Sequence, residues 1–313
     1  FAEHSRQGNI ARCQDLCVDY ILWLRGEVFP DLDLSGQKIL IDCANGAASE
    51  MAPRVMKAFG AEAILMHAAP NGSNINLDCG ATKPQVCATE MLKHQYDAGL
   101  SLDGDADRGI LCDNTGRILE GDTILAGLGQ AMSQQQKLAN NTVVATVMSN
   151  LALETYLKES GVTLLRTQVG DKHVAQEMRN GNHNLGGEKS GHILFGAEHG
   201  FRGDGLYTLL RVLQAMQSQK ACLSDFAADY SDFPQILSNF KSTKRCSLKE
   251  LPCLYAECQR IDSELAGRGR TVVRFSGTEM LLRLMVEADE IELVEQSLQR
   301  LEAAARRDKI LAD

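Results

Sequence analysis

The chain alternates short apolar runs with stretches of helical spacing, and this rhythm limits the folds open to it. Lys38-Ile-Leu-Ile-Asp-Cys43, Glu62–Met66 and Gly99–Leu102 each read as a short apolar strand. Gln14–Arg25 has helical spacing, Ala44–Ser49 turns into a helix that runs through Phe59, and Gly60 stops it. Val86–Tyr96 reads as a further helix. Strands alternating with helices predict α/β layers. Ile110–Leu119 is a hairpin about Asp113-Asn-Thr-Gly116, and then the rhythm repeats. Helices are expected over Gly121–Gln135, Asn150–Ser160, Asp171–Arg179 and Asp204–Gln217. Strands are expected over Thr142–Val147 and Val162–Arg166, with two more within Leu185–Phe195.

After about Tyr230 the pattern changes. Gln235–Phe240, Thr271–Phe275 and Leu281–Glu287 read as strands, and Ser247–Leu265 and Ile291–Arg306 as long helices. The fold class is therefore α/β: two successive mixed α/β sandwich domains, residues 13–116 and 117–231, followed by a small α+β C-terminal domain, 232–313. Residues 1–12 are polar, short and have no strand to belong to.

A length of 313 residues suits two or three domains. The formal net charge of −9 argues against generic nucleic-acid binding and against an anionic membrane surface, so an anionic substrate needs a local basic pocket. No apolar run approaches the ~20 residues of a membrane helix. No signal peptide is visible, and Phe1 is not a natural start, so sequence is expected to be lost from this end. The ten cysteines are scattered, and the closest pairs (Cys13/Cys17, Cys253/Cys258) do not form Cys-x-x-Cys. They read as free thiols in a reducing cytoplasm. His4, His67, His94, His183 and His199 show no partner pattern and read as surface or packed residues.

Three loops carry chemistry. In Ser101-Leu-Asp-Gly-Asp-Ala-Asp-Arg108, three carboxylates stand at alternate positions after an apolar run. On extended backbone, Asp103, Asp105 and Asp107 would point the same way, toward a hard cation such as Mg²⁺. Arg108 adds a guanidinium suited to phosphate. An EF-hand needs Gly sixth and Glu twelfth, where this chain has Arg108 and Asn114. An Asp-nucleophile phosphatase of the haloacid-dehalogenase type is the enzymatic rival. In Gly186–His192, Glu188 and Ser190 offer groups for sugar hydroxyls, Lys189 can meet a phosphate, and His192 can move a proton near neutral pH. In Arg274-Phe-Ser-Gly-Thr-Glu279, with Arg283 beyond, small residues expose backbone N–H groups between two arginines. Arg274, Ser276, Gly277, Thr278 and Arg283 make a phosphate cradle.

Together, Asp-Gly-Asp-Ala-Asp-Arg (103–108), Gly-Glu-Lys-Ser-Gly-His (187–192) and Arg-Phe-Ser-Gly-Thr-Glu (274–279) resemble the metal, sugar and phosphate loops of the α-D-phosphohexomutase superfamily, in the same order. Asn71–Pro84, Ala145–Asn150 and Asn184–Glu188 resemble its bacterial phosphoglucosamine mutase branch. The resemblance implies a four-domain enzyme in which an active-site serine carries a phosphoryl group beside Mg²⁺. The sugar passes through a bisphosphate, interconverting glucosamine 6-phosphate and glucosamine 1-phosphate on the way to UDP-N-acetylglucosamine and peptidoglycan. It implies that residues 1–12 are the tail of the phosphoserine domain, that the serine itself lies outside this chain, and that the isolated chain is inactive. The expected ligands are a phosphorylated amino sugar and its bisphosphate. Neither nucleic acid nor membrane is expected, and a homodimer is the assembly admitted. Ala106 stands where the family commonly has glycine, Lys189 where this branch commonly has Gln, and Phe275 and Met280 where prolines are usual. A phosphomannomutase/phosphoglucomutase, or a sugar-phosphate-binding fragment without turnover, is the alternative.

Overall fold

Ile39-Leu-Ile41 is fully buried in strand β1 (Lys38–Asp42), as a strand covered on both faces requires. In the computed structural model, which describes residues 15–276 and 279–312, β1 lies between two parallel neighbours. These are β2 (Glu62–Met66) and β3 (Ala98–Leu102), reached through helices α2 (Ala48–Ala58) and α3 (Pro84–Met91). Antiparallel β4 (Gly109–Asp113) and β5 (Ile118–Leu119) complete the order β2-β1-β3-β4-β5. The chain leaves β1 toward β2 on one side and returns to β3 on the other. The carboxyl ends of β1 and β3 therefore flank a reversal of strand order, which is where open α/β sheets bind ligands. Asp42 ends β1, and Asp103 directly follows β3.

Helix α1 (Asp15–Trp23) precedes this sheet and continues as a π-helical turn over Leu24–Val28. After it come α4 (Gly121–Gln134), β6 (Thr142–Thr146), α5 (Leu151–Glu159), β7 (Thr163–Thr167), α6 (Asp171–Gly181), β8 (Leu185–Gly187), β9 (Ile193–Phe195) and α7 (Gly205–Gln219). The second sheet has the order β7-β6-β8-β9, with β8 parallel to β6 and antiparallel to β9. Helix α3 begins two residues before the expected Val86, because Pro84 fits a first helical turn, and it ends early, at Met91.

By compactness the chain divides into two units. One takes the described residues through Val147 together with Leu165–Ala228. The other takes Met148–Leu164, which includes α5, together with those from Asp229 onward. In the second unit, β10 (Gln235–Lys241), β11 (Gly269–Phe275) and β12 (Leu281–Ala288) form an antiparallel sheet of order β10-β12-β11. Alternation along β12 buries Leu282, Leu284 and Val286 against Leu254 and Ile261 of α8 (Pro252–Leu265) and Val294 and Leu301 of α9 (Ile291–Arg307). The helix expected over Ser247–Leu265 is interrupted. Leu248–Glu250 is a 3₁₀ turn, and Leu251 leaves helical geometry ahead of Pro252, which cannot donate a hydrogen bond.

Candidate active site

Strand β3 delivers Asp103 at its end, and the chain turns there instead of remaining extended. The backbone N–H of Ala106 donates to Asp103 O at 3.1 Å, and Ala106 takes a left-handed φ of +63°. The carboxylates of Asp103, Asp105 and Asp107 do converge, each offering an oxygen within 4.8 Å of the others. A turn rather than strand alternation brings them together. Asp103 is buried, Asp107 half-buried and Asp105 exposed. Burial raises the Asp103 carboxyl above its ordinary range. The Asp107 and Asp105 charges push the same way, while the Arg108 backbone N–H, at 3.1 Å, and the Arg108 guanidinium oppose them. Arg108 Nε lies 3.6 Å from Asp103 and 3.8 Å from Asp107, with its side chain partly in solvent.

Asp107 Oδ1 is buried with no hydrogen bond among the described residues, its ion pair to Arg108 Nε being at 3.8 Å, so it keeps acceptor capacity that a cation would fill. The three oxygens are hard donors on a short turn, and they fit Mg²⁺.

The Gly186–His192 loop docks on this turn. The Gly109 N–H donates to Gly191 O at 3.0 Å, and a side chain on Gly191, at φ +89°, would collide with Gly109 O. His192 is buried, with Nδ1 3.4 Å from Asp107 Oδ2. Its ring thus faces a metal-loop carboxylate. Glu188 Oε1 accepts from the Gly170 N–H at 3.0 Å, Lys189 Nζ lies 3.6 Å from Glu120, and Ser190 is exposed.

Arg274, Ser276 and Arg283 belong to the other unit and form their own patch. Arg274 and Arg283 are directly opposed on β11 and β12. Like charges in that register repel, and Glu279 Oε2, 3.9 Å from the Arg283 guanidinium, offsets part of that repulsion. Arg283 Nε is buried without a hydrogen-bond partner among the described residues, and Ser276, also buried, follows β11 with its Oγ accepting from the Glu279 N–H at 3.3 Å. Gly277 and Thr278, also expected in this cradle, lie outside the described residues. Arg245, which the sequence did not single out, donates to Glu279 O at 2.9 Å and holds the end of the turn.

The supports behind the metal turn also escaped the sequence reading. The Gly205 N–H donates to Ala106 O at 2.9 Å, and a Cβ on Gly205 would lie 2.3 Å from Leu102 and 2.7 Å from Arg108 O. Asp204 caps α7 through the Tyr207 N–H and accepts the Tyr20 hydroxyl at 2.6 Å. Burial, then the Asp204 charge, drives the Tyr20 phenol far above its usual range. The Gly203-Asp-Gly205 triplet before a strong helix was the available signal. His67 and His199, read as lone residues, have partners in Asp42 and Asp204 at 3.0 and 3.3 Å. All described cysteines are free thiols, and among the described residues no helix is long and apolar enough to cross a membrane.

Family models match the chain in three consecutive stretches. Phosphoglucomutase/phosphomannomutase alpha/beta/alpha domain II matches residues 27–116, alpha/beta/alpha domain III matches 120–233, and the C-terminal domain matches 237–304. The chain belongs to the phosphoglucomutase/phosphomannomutase family, the phosphohexomutases. Within that class its curated relatives include the phosphoglucosamine mutase of Nitratidesulfovibrio vulgaris, 42% identical over 291 residues, which cover 93% of this chain and 64% of the relative. The chain thus spans a little under two thirds of that protein's length. Among solved structures, a phosphoglucomutase/phosphomannomutase family protein from Burkholderia thailandensis has a TM-score of 0.78 at 20% identity, over 94% of this chain and 65% of that one. Aspergillus fumigatus N-acetylphosphoglucosamine mutase, in complex with GlcNAc-6P and magnesium, has a TM-score of 0.70 at 21% identity, over 93% and 68%. At these identities the structures show a shared fold.

Proposed function

We propose that this chain is the metal-, sugar- and phosphate-binding part of a phosphoglucosamine mutase, which interconverts glucosamine 6-phosphate and glucosamine 1-phosphate through a phosphoserine and a sugar bisphosphate. The observation that carries the reading is the convergence of Asp103, Asp105 and Asp107 around an orphaned carboxylate oxygen, with Arg108 and His192 against them. Asp103, Asp105 and Asp107 would hold Mg²⁺, which when bound supplies positive charge to the transferring phosphoryl group. Arg108 adds a fixed guanidinium to the same group. His192 holds Asp107 in place and brings an imidazole beside the aspartates for proton movement. Glu188, Lys189 and Ser190 meet the sugar. Arg274, Ser276 and Arg283, with Gly277 and Thr278, bind the phosphate that is not transferred, and that remote binding energy orients the sugar. A cytoplasmic location and a place on the route to UDP-N-acetylglucosamine and peptidoglycan go with this reading.

The test is an assay of glucosamine 6-phosphate conversion with Mg²⁺ and a bisphosphate primer. It is run on the 313-residue chain alone and on the same chain joined to the serine-loop domain of a phosphoglucosamine mutase. Silence of the chain alone, and turnover of glucosamine phosphates above glucose or mannose phosphates by the joined form, lost on Asp105→Asn, is the expected result; turnover by the chain alone would place the nucleophile within it. Preference for glucose or mannose phosphates would move the chain to the phosphoglucomutase and phosphomannomutase branch. A hydroxylamine-labile phosphoryl group on Asp103 would overturn the mutase reading in favour of an Asp-nucleophile phosphatase.

A further inference from the structure

Asp42, His67 and Cys79 each offer one donor atom within 4.8 Å of the other two, at the carboxyl ends of β1 and β2. We infer that these three side chains bind a thiophilic divalent cation of the Zn²⁺ type, with water as the fourth ligand. Nothing in the proposed mutase chemistry uses them. His67 Nδ1 lies 3.0 Å from Asp42 Oδ1. Two ligands each about 2.0–2.1 Å from a tetrahedral Zn²⁺ stand roughly 3.3 Å apart, so the pair is nearly at coordination distance already.

The carboxylate is fixed for the task. Asp42 is fully buried, and it accepts the Ala44 N–H at 3.0 Å on Oδ1 and the Gly80 N–H at 2.8 Å on Oδ2. An ionised carboxylate has about four acceptor positions, and the one on Oδ1 that the His67 ring N–H occupies passes to the cation when it binds. Cys79 is fully buried beside Gly80 and brings sulfur into the same space. The His67 side chain is 34% exposed, which leaves the ion a route in. His67 also holds a left-handed φ of +45°, where glycine would be relaxed, and there its ring faces the buried carboxylate.

One nitrogen, one sulfur and one oxygen suit Zn²⁺ and its relatives, whereas three carboxylate oxygens suit Mg²⁺. The two clusters therefore select different ions within one compact unit. On binding, the Cys79 thiol proton passes to solvent, and the imidazole proton facing Asp42 is replaced at the solvent-side nitrogen. One proton is released per ion when the thiol starts protonated.

The test is a titration of the reduced chain with Co²⁺, in excess Mg²⁺ to fill the aspartate turn. One Co²⁺ per chain is expected, with a thiolate-to-cobalt charge-transfer band and tetrahedral ligand-field bands that Zn²⁺ displaces. Cys79→Ser abolishes the charge-transfer band, and Cys222→Ser, at an exposed cysteine elsewhere, leaves it intact. His67→Gly weakens Co²⁺ binding by about tenfold or more. Absence of a thiolate band in the unmodified chain would overturn the inference, as would a band surviving both Cys79→Ser and His67→Gly. If Cys79→Ser does not fold, His67→Gly decides alone.

Discussion

Ala106 carries a methyl group into left-handed backbone, at φ +63°, in the middle of the aspartate turn. That conformation costs an L-residue about 1–2 kcal/mol. Glycine avoids the penalty but loses about 0.5–1 kcal/mol of it again to its freer unfolded chain. Ala106→Gly should therefore raise stability by about 0.5–1 kcal/mol, read as a higher denaturation midpoint. Asp103 gives a second prediction at this scale. Its carboxyl is raised in the folded state, first by burial, so it contributes stability that is complete below the ordinary carboxylate range. That stability is lost as pH rises through the raised value. Mg²⁺ held as proposed would favour the ionised form and work against the loss. Melting temperature without metal should fall as pH rises through this window, and saturating Mg²⁺ should flatten the fall. Asp103→Asn should remove the pH dependence and the Mg²⁺ effect together.

Between elements, glycine sets how closely α7 approaches the aspartate turn. Gly205→Ala would place a methyl 2.3 Å from Leu102 and 2.7 Å from Arg108 O. A loss of about 2–3 kcal/mol in stability is expected, with weaker Mg²⁺ binding measured by calorimetry, because the backbone under Ala106 must move. In the second unit, Arg270 and Glu287 are cross-strand partners on β11 and β12, and Glu287 is fully buried. Glu287 also accepts the Leu151 N–H at 2.8 Å, and Arg270 donates to Ser149 O, so the pair ties the start of α5 to this sheet. Arg270→Met leaves a buried carboxylate without its counter-charge and should cost about 3–5 kcal/mol. The double variant with Glu287→Met should recover much of that in a denaturation series. Failure of the second change to rescue would mean that Arg270 acts chiefly through Ser149.

For the molecule as a whole, two compact units with different ligand chemistry imply separable responses. Mg²⁺ should slow amide exchange around 102–109, and inorganic phosphate should slow it around 274–283, each in its own unit. Hydrogen exchange followed by peptide mapping checks this, and loss of the phosphate effect in Arg283→Met would place the anion between the opposed arginines. The sequence alone determined the strand–helix order, because each strand is a continuous apolar run and glycine or proline marks most of the boundaries. It also determined which loops carry the aspartates, the Gly-Glu-Lys-Ser-Gly-His run and the arginines, since each group sits within ten residues of chain. Tertiary structure alone decided how the aspartates meet, through a turn at Ala106 rather than strand alternation. It decided that Arg274 faces Arg283, which is a matter of register across two strands. It also decided that Tyr20 reaches Asp204 and that His67 reaches Asp42. Those contacts join residues 184 and 25 positions apart, and no local periodicity encodes a pairing that exists only once the sheets have formed.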